Sequence, residues 1–311
     1  MDRIRVLDIF CGAGGLGLGF EKAGFRVTGV DISEPAGESF ELNSKCEFIK
    51  ADLSKELIDG DYDIIIGGPP CKPWSAVNVT RRGKNHSDYT LLSKYFDHIK
   101  YNSPNFFLFE NVPLIANDES FGKHIKNLER DGYSVLGKTI VYSDYGAPTR
   151  RHRFILFGTR IGTANKFFSS LSEYVRSPRT VKDVIWALRN KKKGEVQDHT
   201  WPELRTIEKY EDYYRTGKFG WYILNWNEPA PSFGNVTKTY ILHPDSFSKK
   251  SARVISVKEA LLIMGFDENF RFPEGLGLGS RYQMVVDAVS PTFSVVAATI
   301  IRKMTDEKGH S

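Results

Sequence analysis

Cysteine is scarce in this sequence. Only Cys11, Cys46 and Cys71 occur among 311 residues, and no two of them form a CxxC pair. Such widely spaced thiols exclude a disulfide framework and a cysteine zinc site, so we expect free thiols and no metal. No segment approaches the roughly 18 apolar residues of a membrane span. The apolar stretch in MDRIRVLDIF is also too short for a signal peptide, so we expect a cytoplasmic protein without a membrane partner.

Net charge is also low, at +5, but it is unevenly distributed. Residues 160–260 contain 18 Lys and Arg against 11 Asp and Glu, whereas the rest of the chain contains 25 against 27. A basic region beside a nearly neutral one is typical of a protein that faces a polyanion such as nucleic acid. A solvated, lysine-rich surface explains the same charge equally well, so charge alone leaves both interpretations open.

Short β-rich runs alternate with helical patterns over the first 160 residues. The predicted strands are IRVLDIF, FRVTGVDI, EFIKADL, DIIIGGPP, FFLFENV, SVLGKTIVYS and RFILFGTR. Helices are predicted near 16–23, 36–43, 91–99 and 121–130. Strands that alternate with helices predict an α/β fold, in which helices cover both faces of a parallel sheet. The unbroken apolar runs DIII and FFLF agree with strands that are buried on both sides.

The pattern changes beyond residue 160. Residues 165–250 have irregular periodicity, a Lys191–Lys193 run, several Trp and Tyr, and turn signals such as NEPAPSFGN. Regular helical patterns return with VKEALLIMGF and SPTFSVVAATIIRKM, and the second is apolar enough to pack on the sheet. We therefore predict a first domain at 1–159, a smaller domain at 160–249, and a return to the first domain at 250–311.

Five strand ends carry charged or reactive groups. Ligands bind outside the carboxyl ends of the strands of an open parallel sheet. The sequence places these groups there: Asp8, Asp31, Asp52, Cys71 and Glu110. A scaffold needs fewer such groups, so we expect a functional site at this edge.

The first of these turns reads DIFCGAGGLGLG. Gly12, Gly14 and Gly17 satisfy GxGxxG between a strand and a helix, and Asp31 follows nineteen residues after Gly12. Glycines allow close approach of the backbone to a ligand and the acid accepts ribose hydroxyls, so the motif predicts a nucleoside cofactor. It does not separate NAD from S-adenosylmethionine. Asp52 is a candidate for an adenine contact, although taken alone a cap for the following helix explains it better.

Cys71 follows two prolines that stiffen the turn and hold the thiol where the sheet ends. A nucleophilic thiol needs positive surroundings, which Lys72 and the nearby Arg81, Arg82 and Lys84 supply. Glu110 follows apolar FFLF, and poor solvation favours a protonated carboxyl group that donates its proton. Such a pair suits attack on an electron-poor ring carbon. A buried turn cysteine and a merely hydrogen-bonded Glu remain the alternatives.

Together these motifs resemble those of the DNA cytosine-5 methyltransferases. DIFCGAGG is similar to the cofactor motif of that family, GGPPCKPWS to its catalytic motif, and ENV at 110–112 to its glutamate motif. YGAPTRRHRFILFG, RVISVKEALLIMGF and SRYQMVVDAVSP resemble three later blocks. The six blocks agree in order and type over about residues 4–160 and 250–300.

The resemblance implies a Rossmann-like, S-adenosylmethionine-dependent methyltransferase with a mixed, mostly parallel sheet and a target-recognition domain at 160–249. Cys71 would attack C6 of a cytosine that has left the duplex, and Glu110 would assist at N3. Arg151 and Arg153 would position the base. S-adenosylmethionine, released as S-adenosylhomocysteine, would bind at six residues: Phe10, Gly12, Gly14, Asp31, Asp52 and Pro70. DNA would bind at four: Ser75, Arg81, Arg82 and Lys84.

The same resemblance implies a monomer whose partners are double-stranded DNA and a cognate restriction endonuclease acting on the same site. The enzyme would associate with the nucleoid through its DNA. RNA methylation by the same chemistry stays an alternative. Methylation of an exocyclic amino group fits less well because Cys71 follows the proline pair, and an NAD dehydrogenase would leave that thiol idle. A catalytically silent DNA-binding relative would not need Cys71 and Glu110.

Four positions depart from the family pattern. Thr149 and Lys72 each stand where the family usually has Gln, Trp74 stands for Phe, and Asp287 stands for Asn. The last change leaves open which contacts form at the amino-acid end of the cofactor. The thiol, the glutamate and the paired arginines are all retained.

Overall fold

The apolar runs of the first half of the chain form one sheet in the computed structural model, which describes residues 4–75, 83–204, 207–237, 241–248 and 252–307. The strands are β1 (Arg5–Ile9), β2 (Arg26–Asp31), β3 (Glu47–Lys50), β4 (Ile64–Gly67), β5 (Phe106–Asn111), β6 (Ser134–Val141), β7 (Thr149–Arg150), β8 (His152–Thr159), β9 (Tyr222–Ile223), β10 (Ala230–Pro231) and β11 (Ile241–Leu242). The helices are α1 (Gly17–Lys22), α2 (Glu34–Asn43), α3 (Leu91–Asn102), α4 (Glu119–Arg130), α5 (Ala164–Glu173), α6 (Val181–Ile185), α7 (Glu211–Thr216), α8 (Val257–Met264), α9 (Leu278–Asp287) and α10 (Pro291–Asp306).

The central sheet has the strand order β3-β2-β1-β4-β5-β8-β6. The first five strands in this order pair in parallel, which confirms the predicted α/β class, whereas β8 is antiparallel to both β5 and β6. Only residues 142–151 join β6 to β8, too few for the crossover that a parallel pair requires. The sheet is therefore mixed and mostly parallel. The alternating pattern alone did not indicate that β8 runs against the other six strands.

Both faces of the sheet are covered, because residues that alternate along a strand point to opposite faces. In β4, Ile64 and Ile66 join the cluster that contains α1, α5 and α10, whereas Ile65 joins the cluster that contains α3 and α4. The predicted helices near 16–23, 36–43, 91–99 and 121–130 are found as α1 to α4. The C-terminal helix α10 packs on the sheet, as its apolar sequence predicted.

A third apolar cluster lies in the middle of the chain. It unites α6, β9, β11, α8 and α9 around residues such as Leu224, Ile241 and Leu261. Helix α5 packs instead with the sheet, through Phe167 and Phe168. The predicted domain boundaries at residues 160 and 250 stay a prediction. In the packing, α5 belongs to the cluster that contains α1 and α10, whereas α8 and α9 belong to the third cluster.

One stretch, residues 278–306, is long and apolar enough to cross a membrane by length and composition. The sequence expectation had overlooked it, because α9 and α10 each fall short of that length when taken separately. Most of its apolar part, 61%, is buried inside the protein. That burial is the pattern of helices that belong to a protein core.

Candidate active site

A cavity of about 820 Å³ opens where the first five strands end. Strand order reverses between β1 and β4, and such a switch point is where open α/β sheets bind ligands. The predicted residues that line the cavity are Phe10, Gly12, Asp31, Asp52, Pro70, Cys71, Glu110, Arg151 and Arg153. The fold thus gathers in one place groups that lie up to 143 residues apart in the chain.

The glycine turn shapes one part of this cavity. Gly12 has a φ of +54°, and a Cβ there would meet no atom within 4 Å, so its backbone is open to a ligand. Gly14 has a φ of +87°, and its Cβ would lie 2.6 Å from the Phe40 ring. Gly14 therefore serves packing and does not line the cavity. Its predicted contact with the cofactor stays a prediction.

Asp31 is the acid of this turn. Its Oδ2 accepts a hydrogen bond from the Gly12 amide at 3.0 Å, and its Oδ1 accepts one from the Ser33 amide at 2.9 Å. Each carboxylate oxygen has capacity for a further donor, such as a ribose hydroxyl. The half-buried Phe10 ring lines the cavity beside it. These residues therefore fit a nucleoside.

Asp52 caps a turn at residues 53–55, whereas the sequence favoured a cap of a helix at this position. Its Oδ1 accepts hydrogen bonds from the Ser54 amide at 3.0 Å and hydroxyl at 2.6 Å, and its Oδ2 pairs with Lys55 at 2.7 Å. Lys55 first, and then Ser54, lower the pKa of Asp52 to about 2. Because Asp52 also lines the cavity, the cap leaves an adenine contact possible.

Asp8 lies beneath the glycine turn with both carboxyl oxygens buried. Neither oxygen has a hydrogen-bond partner among the described residues, although Asp8 lines the cavity. Burial raises the pKa of Asp8 well above its ordinary value, the Gly17 amide opposes this shift, and the charge of Asp31 adds to it. The raised pKa favours the neutral carboxyl group, which costs less free energy to bury than a carboxylate does.

Small residues bring the loop after β4 against its neighbours. A Cβ at Gly67 would lie 2.3 Å from the Ile9 carbonyl oxygen, and one at Gly68 would lie 3.1 Å from the Glu110 carbonyl oxygen. The Asn111 side chain donates a hydrogen bond to the Pro69 carbonyl at 2.9 Å. The glycine and proline positions of GGPPC thus hold the loop close to the end of β5.

Cys71 begins the 3-10 turn Lys72–Trp74 and is half-buried at the cavity wall. Burial raises the pKa of its thiol, and the Arg153 guanidinium opposes that shift. The carboxyl groups of Glu110 and Asp287 raise the same pKa. Among the described residues, Arg153 therefore has the largest positive influence on the thiol. The sequence had pointed to Lys72, Arg81, Arg82 and Lys84 for this role.

Glu110 is buried and is held by one ion pair and one hydrogen bond. Its Oε1 pairs with Arg153 Nε at 2.8 Å and accepts a hydrogen bond from the Tyr142 hydroxyl, also at 2.8 Å. The glutamate motif and the arginine pair therefore meet in this ion pair, which the sequence did not predict. The role of Glu110 as a proton donor stays a prediction.

Arg151 faces two other segments of the chain. Its guanidinium donates to the Phe233 carbonyl at 3.1 Å and to the Val286 carbonyl. Burial, followed by the charge of Arg153, lowers the pKa of Arg151 to about 10. Arg151 thus connects the sheet to the middle of the chain, and its predicted contact with a target base stays a prediction.

Asp287, which departs from the family pattern, also lines the cavity. Both of its oxygens accept a hydrogen bond from Gln283 Nε2 at 2.8 Å. Burial raises the pKa of Asp287, and the Gln283 hydrogen bond opposes this shift. This carboxyl group therefore adds an acidic side chain to the wall that contains Cys71.

Two of the four predicted DNA contacts, Ser75 and Lys84, are not part of the cavity lining. Ser75 ends the 3-10 turn that follows Cys71, and Lys84 is exposed in a second turn, Gly83–Asn85. Arg81 and Arg82 lie outside the described residues. The four positions therefore stay predictions.

In the run of three lysines at 191–193, Lys191 pairs with Glu195 and Lys193 pairs with Glu203.

Sequence reasoning missed Tyr142 and Gln283. Tyr142 lies 32 residues from its partner Glu110, and no spacing rule links the two. Gln283 precedes Asp287 by one helical turn, a spacing at which side chains meet, and this signal was available in SRYQMVVDAVSP.

Comparison with known proteins places this site in a family. The model of the C-5 cytosine-specific DNA methylases matches residues 4–305. Type II methyltransferase M.FnuDI of Fusobacterium nucleatum is 31% identical over 98% of this chain and 96% of its own length, and M.NgoPII of Neisseria gonorrhoeae is 29% identical over 96% of each. A DNA modification methyltransferase from an E. coli prophage has a similar fold, with a TM-score of 0.76 at 24% identity over 97% of this chain and 99% of that one. The chain therefore belongs to the C-5 cytosine-specific DNA methylases, which use S-adenosylmethionine to methylate cytosine in DNA.

Proposed function

We propose that this protein methylates C5 of a flipped-out cytosine within a specific sequence of duplex DNA, through a covalent bond between Cys71 and C6. The observation that carries the proposal is one cavity lined by the thiol, by the Glu110 and Arg153 pair, and by the glycine turn. A nucleophile, a candidate acid and a nucleoside site thereby share a single space.

In this mechanism Cys71 adds to C6 of the ring while Glu110 protonates N3, which makes C5 nucleophilic. S-adenosylmethionine bound in the same cavity supplies the methyl group that C5 takes up. A base from solvent then takes the C5 proton, Cys71 leaves as a thiolate, and N3 returns its proton to Glu110, which restores the ring. Because burial raises the pKa of Cys71, only a small fraction of the thiol is ionised before DNA binds. Arg153 offsets part of that penalty.

The chain's own residues account for binding of the methyl donor. Phe10 would present its ring to the adenine, Asp31 would accept hydrogen bonds from the ribose hydroxyls, and Asp52 would accept one from the adenine amino group. Gly12 and Pro70 would contact the ligand through the backbone and the ring edge. All five line the cavity. The product would be S-adenosylhomocysteine, and the chemistry requires no metal.

DNA would lie across the mouth of the cavity. Ser75, Arg81, Arg82 and Lys84 would contact it beside the thiol, and the basic region 160–249 would read the target sequence. The enzyme would act as a monomer in the cytoplasm, associated with the nucleoid, and a cognate endonuclease would cut the same sequence when unmethylated. Extraction of the base costs a few kcal/mol, which these contacts would offset.

Methylation of a plasmid tests the proposal. The protein is incubated with plasmid DNA and labelled S-adenosylmethionine, and bisulfite sequencing then locates 5-methylcytosine. We expect one short sequence context to be methylated, and Cys71→Ser to remove the activity. Absence of 5-methylcytosine, preferential labelling of tRNA in competition, or unchanged turnover by Cys71→Ser would each contradict a stated part of the proposal.

A further inference from the structure

Tyr142 is a buried residue beside the reacting groups. It begins the 3-10 turn Tyr142–Tyr145, which joins β6 to β7, and its amide donates to the Arg151 carbonyl at 3.0 Å. Its ring is fully buried and stacks on Phe293 of α10, with ring centroids 5.6 Å apart and an interplanar angle of 26°. Backbone and ring contacts therefore hold the hydroxyl in one place.

That hydroxyl donates to Glu110 Oε1 at 2.8 Å, the same oxygen that Arg153 Nε contacts at 2.8 Å. Within the described part of the chain, no donor reaches the other oxygen, Oε2. A Cβ at Gly68 would lie 3.2 Å from Oε2, so this glycine leaves space beside that oxygen. The two carboxyl oxygens of Glu110 are thus in different surroundings.

We propose that Tyr142 is a positioning residue that determines which oxygen of Glu110 carries the proton. The Tyr142 hydroxyl donates to Oε1 and the positive Arg153 guanidinium pairs with the same oxygen, so Oε1 stays an acceptor and a proton on Glu110 resides on Oε2. This inference rests on the proposed function. As the Cys71 sulfur bonds to C6, the Oε2 proton moves to N3 and leaves a carboxylate that is stabilised by the Tyr142 hydrogen bond and the Arg153 charge. The proton returns to Oε2 when the sulfur departs.

Tyr142 itself does not exchange the proton. Burial raises its pKa well above the ordinary tyrosine value, and the charge of Glu110 adds to that shift. The hydroxyl therefore stays protonated and acts as a fixed donor. The hydrogen bond from the Tyr142 hydroxyl to Glu110 becomes stronger when Glu110 becomes anionic, because donors bind charged acceptors more tightly than neutral ones.

Tyr142→Phe removes the hydroxyl and keeps the ring. We expect kcat to fall by about 10-fold to 100-fold, the usual range for a lost hydrogen bond to a charged group, with the KM values for DNA and S-adenosylmethionine unchanged. Tyr145→Phe is the matched control. Tyr145 lies in the same turn, also contacts Phe293 with centroids 5.6 Å apart, and makes no described hydrogen bond to Glu110. The Tyr145→Phe variant should have the same kcat as the wild-type protein.

A double-mutant cycle separates positioning from a general packing role. The rate of covalent trapping on DNA that contains 5-fluorocytosine is measured for Tyr142→Phe, Glu110→Gln and the combined variant. We expect Tyr142→Phe to slow trapping in the wild-type background and to add nothing to Glu110→Gln.

Three results would overturn the inference: wild-type kcat in Tyr142→Phe, an equal loss in Tyr145→Phe, or equal slowing by Tyr142→Phe in both backgrounds. Melting temperatures of both phenylalanine variants show whether either change disturbs the fold. Failure of the proposed function looks different, because the wild-type protein would then form no 5-methylcytosine.

Discussion

Arg153 contacts the side chain of Glu110 and acts electrostatically on Cys71. Its Nε lies 2.8 Å from Glu110 Oε1, and among the described residues its charge has the largest effect that lowers the thiol pKa. One guanidinium thus contacts the candidate acid and favours ionisation of the candidate nucleophile. At the scale of single residues, Arg153 therefore links Glu110 and Cys71 in the proposed mechanism.

The ionisation of Cys71 should depend on Arg153. Arg153→Gln removes the positive charge that opposes burial, so the thiol pKa rises further and less thiolate is present at any pH between about 7 and 9. We expect alkylation of Cys71 by iodoacetamide to slow by about threefold to tenfold, with the profile displaced to higher pH, since one pKa unit is tenfold in thiolate. Peptide mass spectrometry distinguishes Cys71 from Cys11 and Cys46.

Arg150→Gln is the control for that measurement. Arg150 is an exposed residue of strand β7, and its guanidinium pairs with the Glu228 carboxylate at 3.2 Å. Its substitution should leave the alkylation profile of Cys71 unchanged. Equal reactivity of Cys71 in wild type and Arg153→Gln would contradict the electrostatic role of Arg153.

At the scale of elements, the turn after Cys71 is anchored to α4. Trp74 Nε1 donates to Asp118 Oδ2 at 3.0 Å, and the Tyr89 hydroxyl donates to the same carboxylate. Asp118 also caps α4 by accepting from the Ser120 amide at 2.8 Å. The indole at position 74 therefore has a partner that a phenylalanine lacks, which accounts for this departure from the family pattern.

Trp74→Phe should weaken that anchor. The variant keeps an aromatic ring against Tyr89 but loses the hydrogen bond to Asp118, so we expect the free energy of unfolding to fall by about 1 to 2 kcal/mol. Urea unfolding followed by circular dichroism measures it. Trp186→Phe, at a tryptophan that is 45% exposed, should change it by less than about 0.5 kcal/mol. Equal changes in the two variants would show that the indole N–H of Trp74 adds no stability.

At the scale of the whole molecule, the segment that contains Arg151 and Arg153 joins the sheet to the middle of the chain. Strand β7 pairs with β10, the buried Thr149 hydroxyl donates to the Pro231 carbonyl at 3.4 Å, and Arg151 donates to the Phe233 carbonyl. The hydroxyl of Thr149 thus contacts the very strand that β7 pairs with. The edge of the sheet that lines the cavity and the region proposed to read DNA are therefore held together by the same few residues.

Arg151→Lys should loosen this junction. A lysine keeps the charge but cannot reach both the Phe233 and Val286 carbonyls with a planar fork. We expect the free energy of unfolding to fall by about 2 to 4 kcal/mol. We also expect faster proteolysis in the segment that links the predicted first domain, residues 1–159, to residues 230–233. Arg150→Lys, at the exposed neighbouring position, should match wild type in both assays. Unaltered stability in Arg151→Lys would refute the bracing role.

Much of the fold and of the site follows from local pattern. The spacing of apolar residues located α1 to α4, α8 and α10 and the strands of the sheet, because burial on one or two faces leaves a short-range periodic signal. Strand ends and glycine spacing located Asp31, Cys71 and Glu110 for the same reason. The sequence did not predict helix α5, because its residues were assigned to the irregular region at 165–250.

By itself the sequence determined the α/β class, the order of the motifs and the residues that approach one edge of the sheet, since these depend on neighbours along the chain. Tertiary structure alone decided the reversal of β8, the use of Arg153 instead of Lys72 as the main charge on the thiol, and the binding of Tyr142 to one oxygen of Glu110. It also decided that Arg151 reaches carbonyls 82 and 135 residues away. Such contacts depend on how distant elements pack, and periodicity carries no information about that packing.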